Sequence, residues 1–322
     1  MTDRLNGVSF MDKHIFGFLK MSHAKPALAL TPVPGRRRLV VEAAKEMEER
    51  GYAGLYCPST LGGMSLVEAL AWNTQSMPFG ITVAPIYARV PEDYSETSAC
   101  IHEISEGRFR LGVGVSHGPT QKRFRTPVGK PISDMRDFVV RYKEWVGAGD
   151  PAPLTLAGMR PRMIKLAGEM ADGLVFANAA LSQASKSLAL LPADKLKNDE
   201  FFIGCMTPTC ISDDVEAAKA VHKRTLARYV QLPYYREYWR ESGYEEEMAE
   251  IDKLVDTGET AAIFDKLSDR WLNDVTLFGP ANRVLEKLEA WREVGIKTPI
   301  LVPSSASGNQ LKAVQEIFQI FG

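Results

Sequence analysis

The stretch Gly107-Arg108-Phe109-Arg110-Leu111-Gly112-Val113-Gly114-Val115-Ser116-His117-Gly118 holds the residue types best suited to chemistry. His117 ends an apolar β-like run, and an imidazole there is a proton-transfer group that titrates near neutral pH. In the same position a histidine is also, often enough, a structural or solvated residue. Gly112 and Gly114 lie two apart, on one face of the run. Bare Cα atoms on one face admit a closely packed strand or a flat ligand, and spacing alone leaves both open. Ser116, His117 and the free N–H groups of the turn before Gly118 suit a phosphate or a carbonyl oxygen. Asn178 follows the run 173–177 on the corresponding side, whereas Asp172 precedes its own run. The remaining histidines, His14, His23, His102 and His222, have no such placement.

Other chemistries lack their motifs. The sequence has no GxSxG nucleophile elbow, no P-loop and no HExxH. The dinucleotide fingerprint fails as well, because His117 stands three beyond Gly114, where a glycine or alanine is needed. Cys57, Cys100, Cys205 and Cys210 have no CxxC spacing. They read as buried free thiols of a cytoplasmic protein, with neither a metal site nor a disulfide framework expected. Lys+Arg 39 against Asp+Glu 40 gives a net charge of −1, which offers no cationic field to a nucleic acid. The apolar runs are too short for a membrane span, and charges interrupt the first 20 residues, so no signal peptide is expected.

Elements must hold those residues in place. Short apolar runs fall at 27–31, 53–56, 80–86, 110–116, 154–158, 173–177, 202–206 and 298–302. Most are followed by an amphipathic stretch, such as 36–50 with Leu39, Val40, Ala43, Ala44 and Met47 on one face before Gly51. This rhythm predicts an α/β fold of the (β/α)8 barrel type, with an open doubly wound sheet as the alternative. The even spread of strands, with no composition break, favours the barrel. Residues 1–24 read as an arm, and 25–322 as a single barrel domain. A helical insertion at 213–275 follows strand seven, with helices at 213–229, 234–241, 245–255 and 259–269. Insertions after barrel strands sit over the C-terminal mouth, where active sites lie. Tyr229, Tyr234, Tyr235, Tyr238 and Trp239 of this segment suit stacking on a flat substrate, or equally packing among themselves.

Three stretches carry a family likeness: GITVAPIYARVP from Gly80, GRFRLGVGVSHGP from Gly107, and GMRPRMIKLAGEMADG from Gly158. In this order the chain resembles the luciferase-like superfamily of (β/α)8 flavin and deazaflavin oxidoreductases, and more closely its F420-dependent branch. The likeness covers about 25–305. It implies hydride transfer between coenzyme F420 and an organic substrate at the barrel mouth. It also implies a non-prolyl cis peptide at Thr82–Val83 against the cofactor ring, continuing into Ala84 and Pro85. Cofactor contacts are further implied at Val115, Ser116, Gly118, Asn178, Ala179, Leu181 and Ser182, with Thr120 beside them. Sugar-phosphate dehydrogenases of this branch carry an Asp-His pair where this chain has Ser59 and Thr60, which removes that substrate class. Ser59 keeps a place beside the cofactor, and His117 matches the proton-acceptor position. The resemblance implies a homodimer as well. The alternatives are an FMN-dependent monooxygenase fed by a separate reductase, and a barrel that binds a flavin or another ligand without turnover.

Overall fold

Apolar runs bounded by glycine and proline form the strands, and the amphipathic runs between them form the helices. The computed structural model describes residues 25–118, 121, 127–147 and 149–322. The arm at 1–24, with His14 and His23, and Thr120 lie outside the described residues. The strands are β1 (Ala27–Ala29), β2 (Gly54–Cys57), β3 (Phe79–Pro85), β4 (Phe109–Gly114), β5 (Leu154–Ala157), β6 (Gly173–Ala177), β7 (Phe202–Ile211), β8 (Leu277–Gly279) and β9 (Thr298–Ser304).

Each of β1 to β7 pairs in parallel with the next, β7 pairs with β9, and β9 returns to β1 through Ala27↔Ile300. That closes an eight-stranded parallel barrel with helices between the strands, the (β/α)8 architecture expected. β8 stands outside the ring and pairs with the upper part of β7, Thr209↔Leu277 to Ile211↔Gly279. Its three residues are too short a run to announce a strand in the sequence.

Side-chain alternation divides the core in two. Ala27, Ala29, Tyr56, Val175 and Ile300 fill the barrel with Val83, Ala157, Phe202, Met206 and Val302 against them. A larger apolar layer lies between strands and helices. The glycines of β3 and β4 allow the close approach. A Cβ on Gly80 would lie 2.4 Å from the Arg110 carbonyl oxygen and 3.2 Å from the Tyr56 ring. A Cβ on Gly112 would lie 2.4 Å from the Ile81 carbonyl oxygen, so strand packing is the role of this glycine.

Among the described residues, four helices begin with proline in the first turn, at Pro91, Pro131, Pro161 and Pro233, where its missing N–H breaks no bond. The helical insertion after strand seven contains Val215–Leu226, Pro233–Glu241, Glu245–Thr257, Ile263–Lys266 and Asp269–Val275. The single helix expected at 259–269 is instead a 3-10 turn (Thr260–Ala262) and a short helix, and a new helix starts after Ser268. The Ser268 hydroxyl accepts from Trp271 N at 3.1 Å and caps that new helix. Helices Leu181–Leu188, Ala193–Lys197 and Gln310–Phe321 complete the ring and were not anticipated. Two side chains depart from expectation. Leu39 is on the exposed side of its helix, and Cys100 is exposed, while the other three thiols are buried.

Candidate active site at the C-terminal mouth

A parallel ring sends every strand's C-terminal end to one mouth, so residues just past β3, β4 and β6 meet there. The floor is made by small side chains. A Cβ on Gly114 would lie 3.3 Å from Ala157 Cβ and 3.5 Å from Val83 Cγ2. Val83 and Ala157 are both half-buried. The Thr82–Val83 peptide is cis, and the β3–β4 register shifts between Ile81 and Ala84. The Thr82 hydroxyl is buried with no hydrogen-bond partner among the described residues. Ser59 joins this group, its N–H 3.5 Å from the Val83 carbonyl oxygen. Ala84 packs in the outer layer, and the Pro85 carbonyl accepts from Tyr94 Oη at 3.1 Å.

The end of β4 is fixed by its own turn. Ser116 takes a left-handed backbone with φ 60°, uncommon for serine. Gln121 clamps the turn from beyond, donating from Nε2 to the Val115 carbonyl and from its backbone N to the His117 carbonyl, each at 3.0 Å. Ser116 Oγ lies 3.4 Å from His117 Nδ1. His117 is half-buried, and burial holds its pKa below the ordinary 6.5, so the ring is neutral at pH 7. A Cβ on Gly118 would meet no atom of the described residues within 4 Å.

Asn178 is the corresponding residue of β6. It too is left-handed, with φ 57°, and only 6% exposed. Its N–H donates to the Met206 carbonyl at 3.1 Å, and its carbonyl accepts from Trp239 Nε1 at 3.2 Å. Its carboxamide faces the hydroxyls of Tyr229 and Tyr235, both driven above the ordinary tyrosine range by burial. Ala180 N donates to Tyr238 Oη at 3.0 Å, and Arg160 pairs with Glu241 at 2.6 Å. Helix Pro233–Glu241 is thus fastened across the ends of β5 and β6. Tyr238 and Trp239 are buried anchors, for which packing is the role. Tyr229 and Tyr235 are half-buried and Tyr234 is 42% exposed.

Three expected contacts are engaged elsewhere. Ser182 donates from its N–H and its hydroxyl to Asp274, at 2.9 and 2.6 Å, and Leu181 packs against the outer core. Ala179 is buried in that core as well. Asp274 also accepts from Tyr244 Oη at 2.7 Å, a clasp between distant segments that no local pattern reveals. Ala157 and Gln121 were likewise missed, since neither type signals a site. The other polar candidates are occupied. Tyr87 Oη donates to Asp134 at 2.7 Å, and His102 Nδ1 lies 3.0 Å from the Phe109 carbonyl. His222 is fully buried against the Leu277 carbonyl at 3.1 Å, and burial lowers its pKa to about 4.

The family model for luciferase-like monooxygenases matches residues 16–298, and the chain belongs to that family. A putative coenzyme F420-dependent oxidoreductase of Mycobacterium tuberculosis is 21% identical over 314 residues, covering 82% of this chain and 90% of that protein. The coenzyme F420-dependent tetrahydromethanopterin reductase of Methanopyrus kandleri superposes with a TM-score of 0.72 at 18% identity, covering 93% of this chain and 100% of that one. The oxygenating constituent of 3,6-diketocamphane monooxygenase of Pseudomonas putida, in complex with FMN, gives 0.60 at 15% identity, over 87% and 91% of the two chains. The relatives are therefore F420-dependent oxidoreductases and flavin monooxygenases. Among the described residues, no helix is long and apolar enough to cross a membrane.

Proposed function

We propose that the protein is an oxidoreductase exchanging a hydride between coenzyme F420 and a small organic substrate at the mouth. The observation that carries this reading is the bare floor of Val83, Gly114 and Ala157 with His117 at its rim. The residues present fit a flat ring, because the surface over Gly114 is one that a Cβ would fill. Thr82, Val83, Ser59, Val115, Ser116, Gly118 and Asn178 would hold the cofactor. F420, when bound, supplies a carbon that accepts or gives the hydride. The chain supplies the rest. With Ser116 Oγ beside Nδ1, Nε2 is the nitrogen left for substrate, and a neutral imidazole takes a hydroxyl proton in the oxidising direction. Helix Pro233–Glu241 roofs the β5–β6 side and keeps water from it.

The FMN-containing neighbour supports a second reading, a monooxygenase fed reduced flavin by a separate reductase. Titration of the apo-protein, followed by fluorescence quenching, separates the two. F420 is expected to bind in the micromolar range or tighter, and FMN more weakly. Stoichiometric FMN in protein purified from a host without F420 would reverse the order. If neither cofactor binds, the non-catalytic reading stands.

A homodimer accompanies this function in our reading. Gel filtration at dilute concentration should give about twice the 35.7 kDa chain mass, and a clean monomer would refute it. The free thiols suit a reducing cytoplasm.

A further inference from the structure

The opposite end of the barrel holds a cavity of about 500 Å³, lined by side chains from the start of β4, the turns before β5, β6 and β7, and the end of helix Pro91–Ile104. Its charges are not all paired. Asp172 accepts from Leu154 N at 2.9 Å and pairs with Lys143 at 3.4 Å, so these two balance each other. Arg110 is different. Among the described residues its side chain makes one hydrogen bond, a 3.3 Å contact from Nη1 to the Asp172 backbone carbonyl, and its guanidinium lies over the Phe202 ring, 5.1 Å from the centroid. Of the carboxylates, Arg110 feels the charge of Asp172 first and that of Glu200, across the cavity, second, yet among the described residues it forms an ion pair with neither. A partly desolvated guanidinium with unused N–H donors is therefore set against an unpaired carboxylate.

Charge balance selects the ligand. A monoanion on Arg110 would be repelled by Glu200, and a cation on Glu200 by Arg110. A polyanion would meet both Asp172 and Glu200. A zwitterion satisfies the two ends at once. Pro151, Ala152 and Pro153 form an apolar wall beside them, backed by the Tyr142 ring, whose hydroxyl is spent on the Ala152 carbonyl at 2.8 Å. His102 adds an acceptor. Its Nδ1–H donates to the Phe109 carbonyl at 3.0 Å, which fixes Nε2 as the unprotonated nitrogen of the neutral ring.

We propose that this cavity binds a free amino acid, its carboxylate on Arg110, its ammonium on Glu200, and an apolar side chain against the Pro151–Pro153 wall. The site is independent of the hydride chemistry, because it lies at the N-terminal ends of the strands.

The test is calorimetric titration of the full-length protein with L-phenylalanine, with benzoate as the anion alone and phenethylamine as the cation alone. Phenylalanine is expected to bind saturably and more tightly than either half. Glu200→Gln should weaken it at least about tenfold, the worth of one charge-assisted hydrogen bond, and strengthen benzoate, whose carboxylate no longer faces the Glu200 charge. Glu200 is exposed, so this variant keeps the fold even if Arg110→Gln, which removes the stack on Phe202, does not. Saturating FMN or F420 should leave the phenylalanine affinity unchanged. The proposal is overturned by absence of saturable binding, by benzoate or phenethylamine binding as tightly, by an unchanged affinity in Glu200→Gln, or by competition with either cofactor.

Discussion

His117→Ala is expected to cut turnover by about 10²–10⁴-fold, the usual worth of a positioned acid or base, while cofactor affinity stays near that of the parent. The cofactor contacts proposed here come from the floor and from backbone at the ends of β3, β4 and β6, so little binding is lost with the imidazole. The pH dependence follows from burial. His117 titrates below 6.5, so it is a competent base throughout the neutral range. In the oxidising direction the rate should fall only as the pH drops through that lowered pKa and the ring takes up a proton. The alanine variant should lose this acid limb. A variant with near-normal kcat and the parent's profile would make His117 a turn residue. Tyr87 and Arg160 are poor substitutes, being bound to Asp134 and Glu241.

Gly112→Ala should be among the most damaging single methyl additions in the barrel. The new Cβ would sit 2.4 Å from the Ile81 carbonyl oxygen, which is backbone and cannot rotate away. Overpacking costs about 1–3 kcal/mol where side chains can yield. Here two paired strands must separate, so about 3 kcal/mol or more is expected, which lowers Tm by roughly 4–5 °C or more at about 2.1 cal/mol/K per residue over 322 residues. Gly118→Ala is the control, since a Cβ there would meet no atom of the described residues within 4 Å and its backbone is not left-handed. Thermal melts compare the two. Equal Tm values would mean that the β3–β4 spacing relaxes freely.

The sequence made the barrel legible because its signals are local. Period-2 apolar runs, first-turn prolines and glycine stops mark each element where it occurs, and the order of elements dictates a parallel ring. The short β8 and the broken helix around Ser268 escaped, since three residues carry no period and a serine cap inside a polar run looks like its neighbours. The site divides the same way. His117, Ser116 and Asn178 stand beside strand ends, and strand ends can be counted, whereas Val83 lies within β3 and is reached only through the family likeness. Ser182 looked equally well placed beyond β6, but its donors go to Asp274, 92 residues away in sequence. Pairings of that kind are properties of the folded surface. Gly112 and Gly114 show the limit most plainly. They share one pattern, yet the first lies against a strand's backbone and the second against two small side chains.

The way β7 meets β9 bears on how such a protein diversifies. The ladder between them, Gly204↔Thr298 through Cys210↔Ser304, closes the ring directly, and the residues from 213 to 275 contribute no rung to it. The segment joins the barrel through side-chain tethers, Trp239 to Asn178, Tyr238 to Ala180, Glu241 to Arg160 and Asp274 to Ser182, and through buried apolar residues such as Leu226, Trp271 and Val275. Closure of the scaffold and admission of substrates are thus written in separate stretches of chain. Lineages can rewrite the second by insertion, trimming or exchange while the first is inherited whole, and the points where a foreign roof must be refastened include Arg160, Asn178, Ala180 and Ser182.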